Sequence, residues 1–129
     1  MRYKKIESKL KTNKSRNYLW NRMNTINKII KIEGFPKNSK YKKISENNYE
    51  CQFGKRFTFL TFIPKSGFNM FFVYEKDMSL AWFEIKGEKN CTIIHGNHVR
   101  VDNDKGKWHK DHFKSAQKHF MEELQEIAK

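Results

Sequence analysis

The clearest pattern in the chain lies in its middle, where apolar runs alternate with short polar breaks. Arg56–Ile63 (RFTFLTFI) sets Phe57, Phe59, Thr61 and Ile63 on one face and Thr58, Leu60 and Phe62 on the other, the period-two signature of a strand. Apolar side chains on both faces predict a central strand. Residues 64–67 (PKSG) read as a turn into a returning strand, Phe68–Tyr74, so the two runs form a hairpin. Tyr49–Phe53, Leu80–Ile85 and Cys91–Ile94, the last running on through Gly96 to Val101, add strands joined by short polar links. Four to five strands connected in this way predict an antiparallel meander.

The flanks carry a helical period instead. Leu19, Met23, Ile26 and Ile30 recur at intervals of four, three and four, and Trp20 and Ile29 widen the stripe. One helix is expected from about Lys14 to Gly34, with Gly34 as its C′ residue and Pro36 preventing continuation. Phe113, Ala116, Gln117, Phe120, Leu124 and Ile127 predict a second helix, with Asp111 as its N-cap. Residues 1–13 read as a charged arm, and 37–48 as a polar linker without periodicity. The expected fold is α+β: an antiparallel sheet of four to five strands packed with an N-terminal basic helix and a C-terminal helix. A chain of 129 residues suits a single domain over 1–129. Within it, 1–43 are the basic helical arm, 49–101 the sheet, 102–112 a His-rich loop and 113–128 the last helix.

Composition supports a packed core, since 15% aromatic residues offset a charged content of 32%. The aromatic stripes of the strands read as core rather than as a platform for stacking bases. Charge changes the picture more. Of the net +13, residues 1–43 carry +12 and the remainder +1. So concentrated an excess implies a polyanionic partner, with nucleic acid favoured over an anionic membrane or an acidic protein. Arg16, Arg22, Lys28 and Lys31 fall roughly by turns on the polar face of the first helix, and Lys40, Lys42 and Lys43 follow it. All seven are candidate phosphate contacts. Cys51 and Cys91 form no disulfide framework or zinc spacing and read as small hydrophobes. No signal-like apolar run or membrane span is visible, so a cytoplasmic location without a membrane partner is expected.

Candidate chemistry gathers in His95–His112 (HGNHVRVDNDKGKWHKDH), which holds four of the chain's five histidines. A metal-independent RNA cleavage site needs groups that move protons near neutral pH and cations that stabilise the charge developing on phosphate. His98, Arg100, Asp102, Lys107, His109 and His112 are the candidate catalytic residues, and Lys105 and Trp108 would grip backbone and base. No cofactor is required by that reading, although a divalent metal could be held by Asp102, Asp104, His109 and His112. A third pattern, Asp77 with Glu84 and Lys86, matches the minimal acid and acid-x-lysine arrangement of magnesium nucleases, but lacks the crossover helix. Against all three stands a polar hairpin turn at Asp102–Gly106 beside a wet strand face.

Asp102-Asn103, then Gly106-Lys107, then His112 before the amphipathic stretch Phe113–Ile127 follow an order that resembles TumE-type toxins of bacterial toxin–antitoxin pairs. The resemblance covers roughly the last quarter of the chain. His109 does not fall where the first family histidine would, and the basic N-terminal helix has no counterpart. The resemblance implies a growth-inhibiting toxin with a cognate antitoxin, and His, Asp and Lys at the working site.

The leading expectation is a small basic protein that interacts with nucleic acid, RNA favoured over DNA, with endoribonuclease chemistry at the His-rich loop. The alternative is a non-enzymatic inhibitor or binding protein of a mobile element, occupying a groove or mimicking nucleic acid.

Overall fold

The computed structural model describes residues 3–73, 78–100 and 110–129, and the side chains of all but residues 100 and 110–112 among them. Seven strands and three helices appear in the order β1 (Tyr3–Lys11), α1 (Arg16–Asn21), α2 (Ile26–Glu33), β2 (Lys40–Ser45), β3 (Asn48–Phe53), β4 (Arg56–Ile63), β5 (Gly67–Val73), β6 (Met78–Lys86), β7 (Thr92–Arg100) and α3 (Lys110–Ile127). This corrects the expected sheet of four to five strands with two helices. The supposed arm is β1, the supposed linker is β2, and the single N-terminal helix is two.

Each difference has a local cause. In β1, Ile6, Ser8 and Leu10 alternate with Lys5, Glu7 and Lys9, but Ser8 interrupts the apolar row and hides the period of two. Ser8 is nonetheless buried, its hydroxyl donating to the Gln117 carbonyl of α3 at 2.8 Å. β2 (KYKKIS) is exposed along its whole length, so burial imposes no pattern on it. Its lysines suit an edge, where charge discourages pairing with other chains. The first helix breaks because Thr25 caps α2, its hydroxyl accepting from the Lys28 amide at 3.3 Å. Gly34 does end α2 in the left-handed region at φ 67°, as expected. Asp111 lies inside α3 rather than capping it.

The sheet is antiparallel throughout, in the order β1-β7-β6-β5-β4-β3-β2. β2 to β7 form a meander, and β1 closes it from the other side, pairing from Tyr3↔Arg100 to Lys11↔Thr92. Residues directly opposite each other share a face. One face carries Leu60, Phe68, Met70, Phe83 and Ile93, all buried against Leu19, Ile29, Leu124 and Ile127 of the helices and Met23 between α1 and α2. β4 is an interior strand, paired on both sides with β3 and β5. Its other face is not core: Phe57, Phe59 and Ile63 remain 37%, 40% and 45% exposed. Cys51 and Cys91 are free and buried, and burial pushes the Cys51 thiol up to about 12.

Two arginines from the supposed phosphate-binding face tie the helices down. The Arg16 guanidinium donates to the carbonyls of Gly87, Lys65 and Ile85 at 2.9, 2.6 and 3.1 Å, stitching α1 to two turns of the sheet. Arg22 donates to the Ile127 and Glu126 carbonyls at 3.2 and 3.1 Å, satisfying the C-terminal end of α3 where a cation also complements the helix dipole. Replacing Arg22 by Ala is expected to lower stability by about 1–3 kcal/mol, as read by urea unfolding. Unchanged unfolding would show that these bonds contribute nothing net.

Candidate metal centre

Three elements converge on one buried polar cluster. Glu33 ends α2, two turns after Ile26 and so on the apolar stripe of that helix. His95 lies on the inner face of β7 with Ile93 and Val99. Glu123 sits beside Leu124 in α3, a turn after Phe120. His95 is 1% exposed and Glu123 5%. His95 Nε2 stands 3.2 Å from Glu123 Oε2 and 3.6 Å from Glu33 Oε1, and one ligand atom from each residue lies within 4.8 Å of the others. Glu33, His95 and Glu123 therefore form a cluster able to coordinate a divalent ion.

The imidazole is held on every side. Its ring stacks on Phe83 with centroids 3.8 Å apart and leans on Phe120 at 4.2 Å. His95 Nδ1 lies 3.0 Å from the Trp82 carbonyl oxygen. A carbonyl only accepts, so Nδ1 carries the proton. In the neutral ring Nε2 then presents a lone pair to two carboxyl groups. Burial lowers the His95 pKa and favours that neutral form, although Glu33 acts the other way.

The carboxyl groups are equally displaced from their usual behaviour. Burial first, and then the nearby Glu123 carboxylate, push Glu33 up to about 8; burial pushes Glu123 up to about 7. His95 Nε2, Glu33 Oε1 and both Glu123 oxygens make no hydrogen bond of acceptable geometry. Unsatisfied buried groups of this kind are costly. His119, largely exposed, covers the cluster from α3, with Nε2 at 2.8 Å from Glu123 Oε1. Glu33 also borders a cleft of about 340 Å³ between Gly34–Pro36 and Phe53–Arg56.

The residues expected from sequence whose side chains are described fall elsewhere. His98 lies on the opposite face of the sheet from His95, its ring 5.2 Å from that of Trp82. By register Arg100 shares that outer face with His98, as two-residue spacing predicts. Asp102, Asp104, Lys105, Lys107, Trp108 and His109 lie outside the described residues, as does Asp77; of Arg100 and His112 only the backbone is described, in β7 and α3. Arg16 and Arg22 are engaged with carbonyls as described. Lys28 Nζ donates to the Asn21 carbonyl and to Asn24 Oδ1 at 2.6 and 2.8 Å, and Lys31 borders a cleft of about 310 Å³ with Arg22 and Glu126. Lys40, Lys42 and Lys43 belong to β2. Among those whose side chains are described, none takes part in the buried cluster.

Sequence reasoning missed Glu33 and Glu123, and passed over His95 when choosing among the histidines. A local signal existed: each glutamate stands in a mainly apolar helical stripe, and His95 and Asn97 stand between Ile93 and Val99 in the inward row of β7.

No protein-family model matches the chain, and neither does any curated protein. Solved structures do share its fold. A putative uncharacterized protein from Bacillus thuringiensis is similar at TM-score 0.60 and 9% identity, over 97% of this chain and 96% of that one. The di-domain ARO/CYC StfQ of the steffimycin biosynthetic pathway is similar at TM-score 0.70 and 8% identity, and here 98% of this chain spans 50% of that one. The Aha1 dimer from Colwellia psychrerythraea gives TM-score 0.56 and 12% identity, over 97% and 93%. At such identities the likeness establishes the fold alone.

Proposed function

We propose that the protein binds a divalent metal ion through Glu33, His95 and Glu123, between α2, β7 and α3. The observation that carries this reading is a fully buried histidine whose Nε2 stands 3.2 and 3.6 Å from two carboxyl groups, with no hydrogen bond of good geometry among the three. A cation resolves that arrangement, accepting all three donors at once. Two ligands at ordinary bond length from a tetrahedral zinc ion lie about 3.4 Å apart, against the 3.2 and 3.6 Å separating Nε2 from the two oxygens. The Trp82 carbonyl supplies the outer hydrogen bond that fixes the tautomer and orientation of a metal-binding imidazole. One nitrogen and two oxygens suit zinc, manganese, cobalt or ferrous iron better than soft ions. Three protein ligands leave a position for water or for an oxygen or nitrogen donor of a small ligand.

Cobalt gives the direct test. Chelator-treated protein titrated with Co²⁺ is expected to develop visible absorption at one equivalent, and thermal melting to rise with Zn²⁺ or Co²⁺. His95→Gln and Glu123→Gln should each lose both responses while keeping the far-ultraviolet circular dichroism of the parent. A parent that takes up no metal at micromolar concentration would leave the cluster as a proton-sharing pair and overturn the reading. A toxin-like endoribonuclease would instead be built from Asp102, Lys107, His109 and His112.

A further inference from the structure

The outer face of the sheet carries rings where a solvated surface would carry polar side chains. Register traces one continuous row across all seven strands: Lys42, Glu50, Phe59, Phe71, Leu80, His98 and Lys5, each opposite the next. Phe59, Phe71 and Leu80 are 40%, 38% and 36% exposed. A neighbouring row sets Lys40 and Gln52 beside Phe57, whose ring meets Phe59 edge-on at 5.1 Å. On the other side of the first row, Thr61, Asn69 and Trp82 follow one another, and the Trp82 ring lies over Gly96.

The first row ends on a lysine at both edges of the sheet. β1 and β2, the two edges of the sheet, hold seven lysines, half of the fourteen basic residues in 1–43. Lys5 and Lys9 on one edge and Lys40 and Lys42 on the other are exposed and face the same side as the rings. Lys5 and Lys9 approach Glu7, at 3.2 and 3.5 Å, and Glu50 stands opposite Lys42, so each edge is partly compensated. A shallow groove of about 220 Å³ runs along the β2 edge, bordered by Lys40, Lys42, Glu50, Gln52 and Phe57.

We infer that this face binds single-stranded RNA, laid across the strands with bases on Phe57, Phe59 and Phe71 and phosphates at the lysine edges. Unpaired bases offer flat faces to rings and a charged backbone to lysines, and stacking of this kind tolerates any base. Six strand spacings of about 4.8 Å make a track of about 29 Å, which accommodates roughly four or five extended nucleotides. Polar side chains standing between the rings, Thr61, Asn69 and Gln52, are of the type that reads base edges and the ribose 2′-hydroxyl. A second copy of the chain is a poorer occupant, because it carries the same net charge of +13. The inference is independent of the metal centre, which faces the other side of β7.

Fluorescence anisotropy with a labelled twelve-nucleotide RNA tests it on the full chain. Binding should weaken at least tenfold between 50 and 200 mM salt, since released counterions drive it. Phe59→Ser with Phe71→Ser, at exposed positions, should weaken it about tenfold or more at an unchanged melting temperature, and Lys40→Glu with Lys42→Glu should do so independently. Duplex RNA and heparin, which offer charge without accessible bases, should compete poorly. Three results would overturn the inference: ring variants that bind as the parent does, heparin competing as well as RNA, or self-association through this face that salt strengthens and RNA leaves intact. Equal affinity for the matching DNA would overturn the assignment to RNA.

Discussion

With metal removed, the double variant Glu33→Gln, Glu123→Gln is expected to melt higher than the parent at pH 8, by about 5–10 °C. The sign follows from the carboxyl groups. Glu33 is pushed up to about 8 and Glu123 to about 7, from an ordinary value of 4.5. The folded chain therefore keeps protons that the unfolded chain releases above pH 4.5. Stability from these groups is complete below 4.5 and is lost as pH rises through 7 and 8. His95 works in the opposite direction, because its lowered pKa costs stability only as pH falls below 6.5. Between 6.5 and 8 the decline is thus uncompensated, and glutamine, which cannot ionise, removes it. Metal should reverse the order: its binding displaces the same protons, so the parent gains most from Zn²⁺ at pH 8 and least at pH 6, while the variant gains nothing. Calorimetry at the two pH values checks both halves. A metal-free parent that outlasts the variant at pH 8 would show that the carboxylates are stabilised by something other than a cation.

Gly67→Ala is expected to be the most damaging single-methyl change in the sheet. A Cβ at Gly67 would stand 1.9 Å from the Phe83 carbonyl oxygen, and the residue has φ 143°. The obstacle is backbone of β6, which cannot swing aside as a side chain can. Gly67 also pairs with Glu84, next to the bond from the Ile85 amide to the Ser66 carbonyl at 2.8 Å. Separating β5 from β6 at this end, with the backbone strain added, should cost about 4 kcal/mol. Gly34→Ala is the control: it shares a positive φ of 67° but meets nothing within 4 Å, and should cost about 1 kcal/mol. Denaturant unfolding of the pair separates collision from conformational strain, and equal losses would rule the collision out.

The sequence made five strands, the end of α2 and most of α3 legible because burial on one face writes a period into the side chains. β2 carries no such record, since no residue in it is buried. β1 carries a damaged one, because a serine that hydrogen-bonds to α3 stands in the apolar row. The metal centre was illegible for a different reason. Residues 33, 95 and 123 meet only through the closing of the sheet and the docking of two helices, so no spacing along the chain announces them. Their individual signs, a carboxylate or imidazole standing in an apolar row, are weak singly and decisive only together. The basic first third was visible at once, yet the placement of its charges depended on topology: Lys5, Lys9, Lys40 and Lys42 stand on the side of the exposed rings, while Arg16 and Arg22 hold helix and turn carbonyls.

The pairing of β1 with β7 also sets the order in which the chain can fold. β2 through β7 join neighbours across short turns and can form as the chain lengthens. Tyr3–Lys11 has no partner until Thr92–Arg100 exists. On a ribosome the first strand made is the last to be placed, and its inward residues, Ile6 and Leu10, wait unburied meanwhile. Long-range pairing of this kind slows folding toward the millisecond-to-second range of sheet proteins. The lysines that alternate with those residues keep the waiting strand soluble.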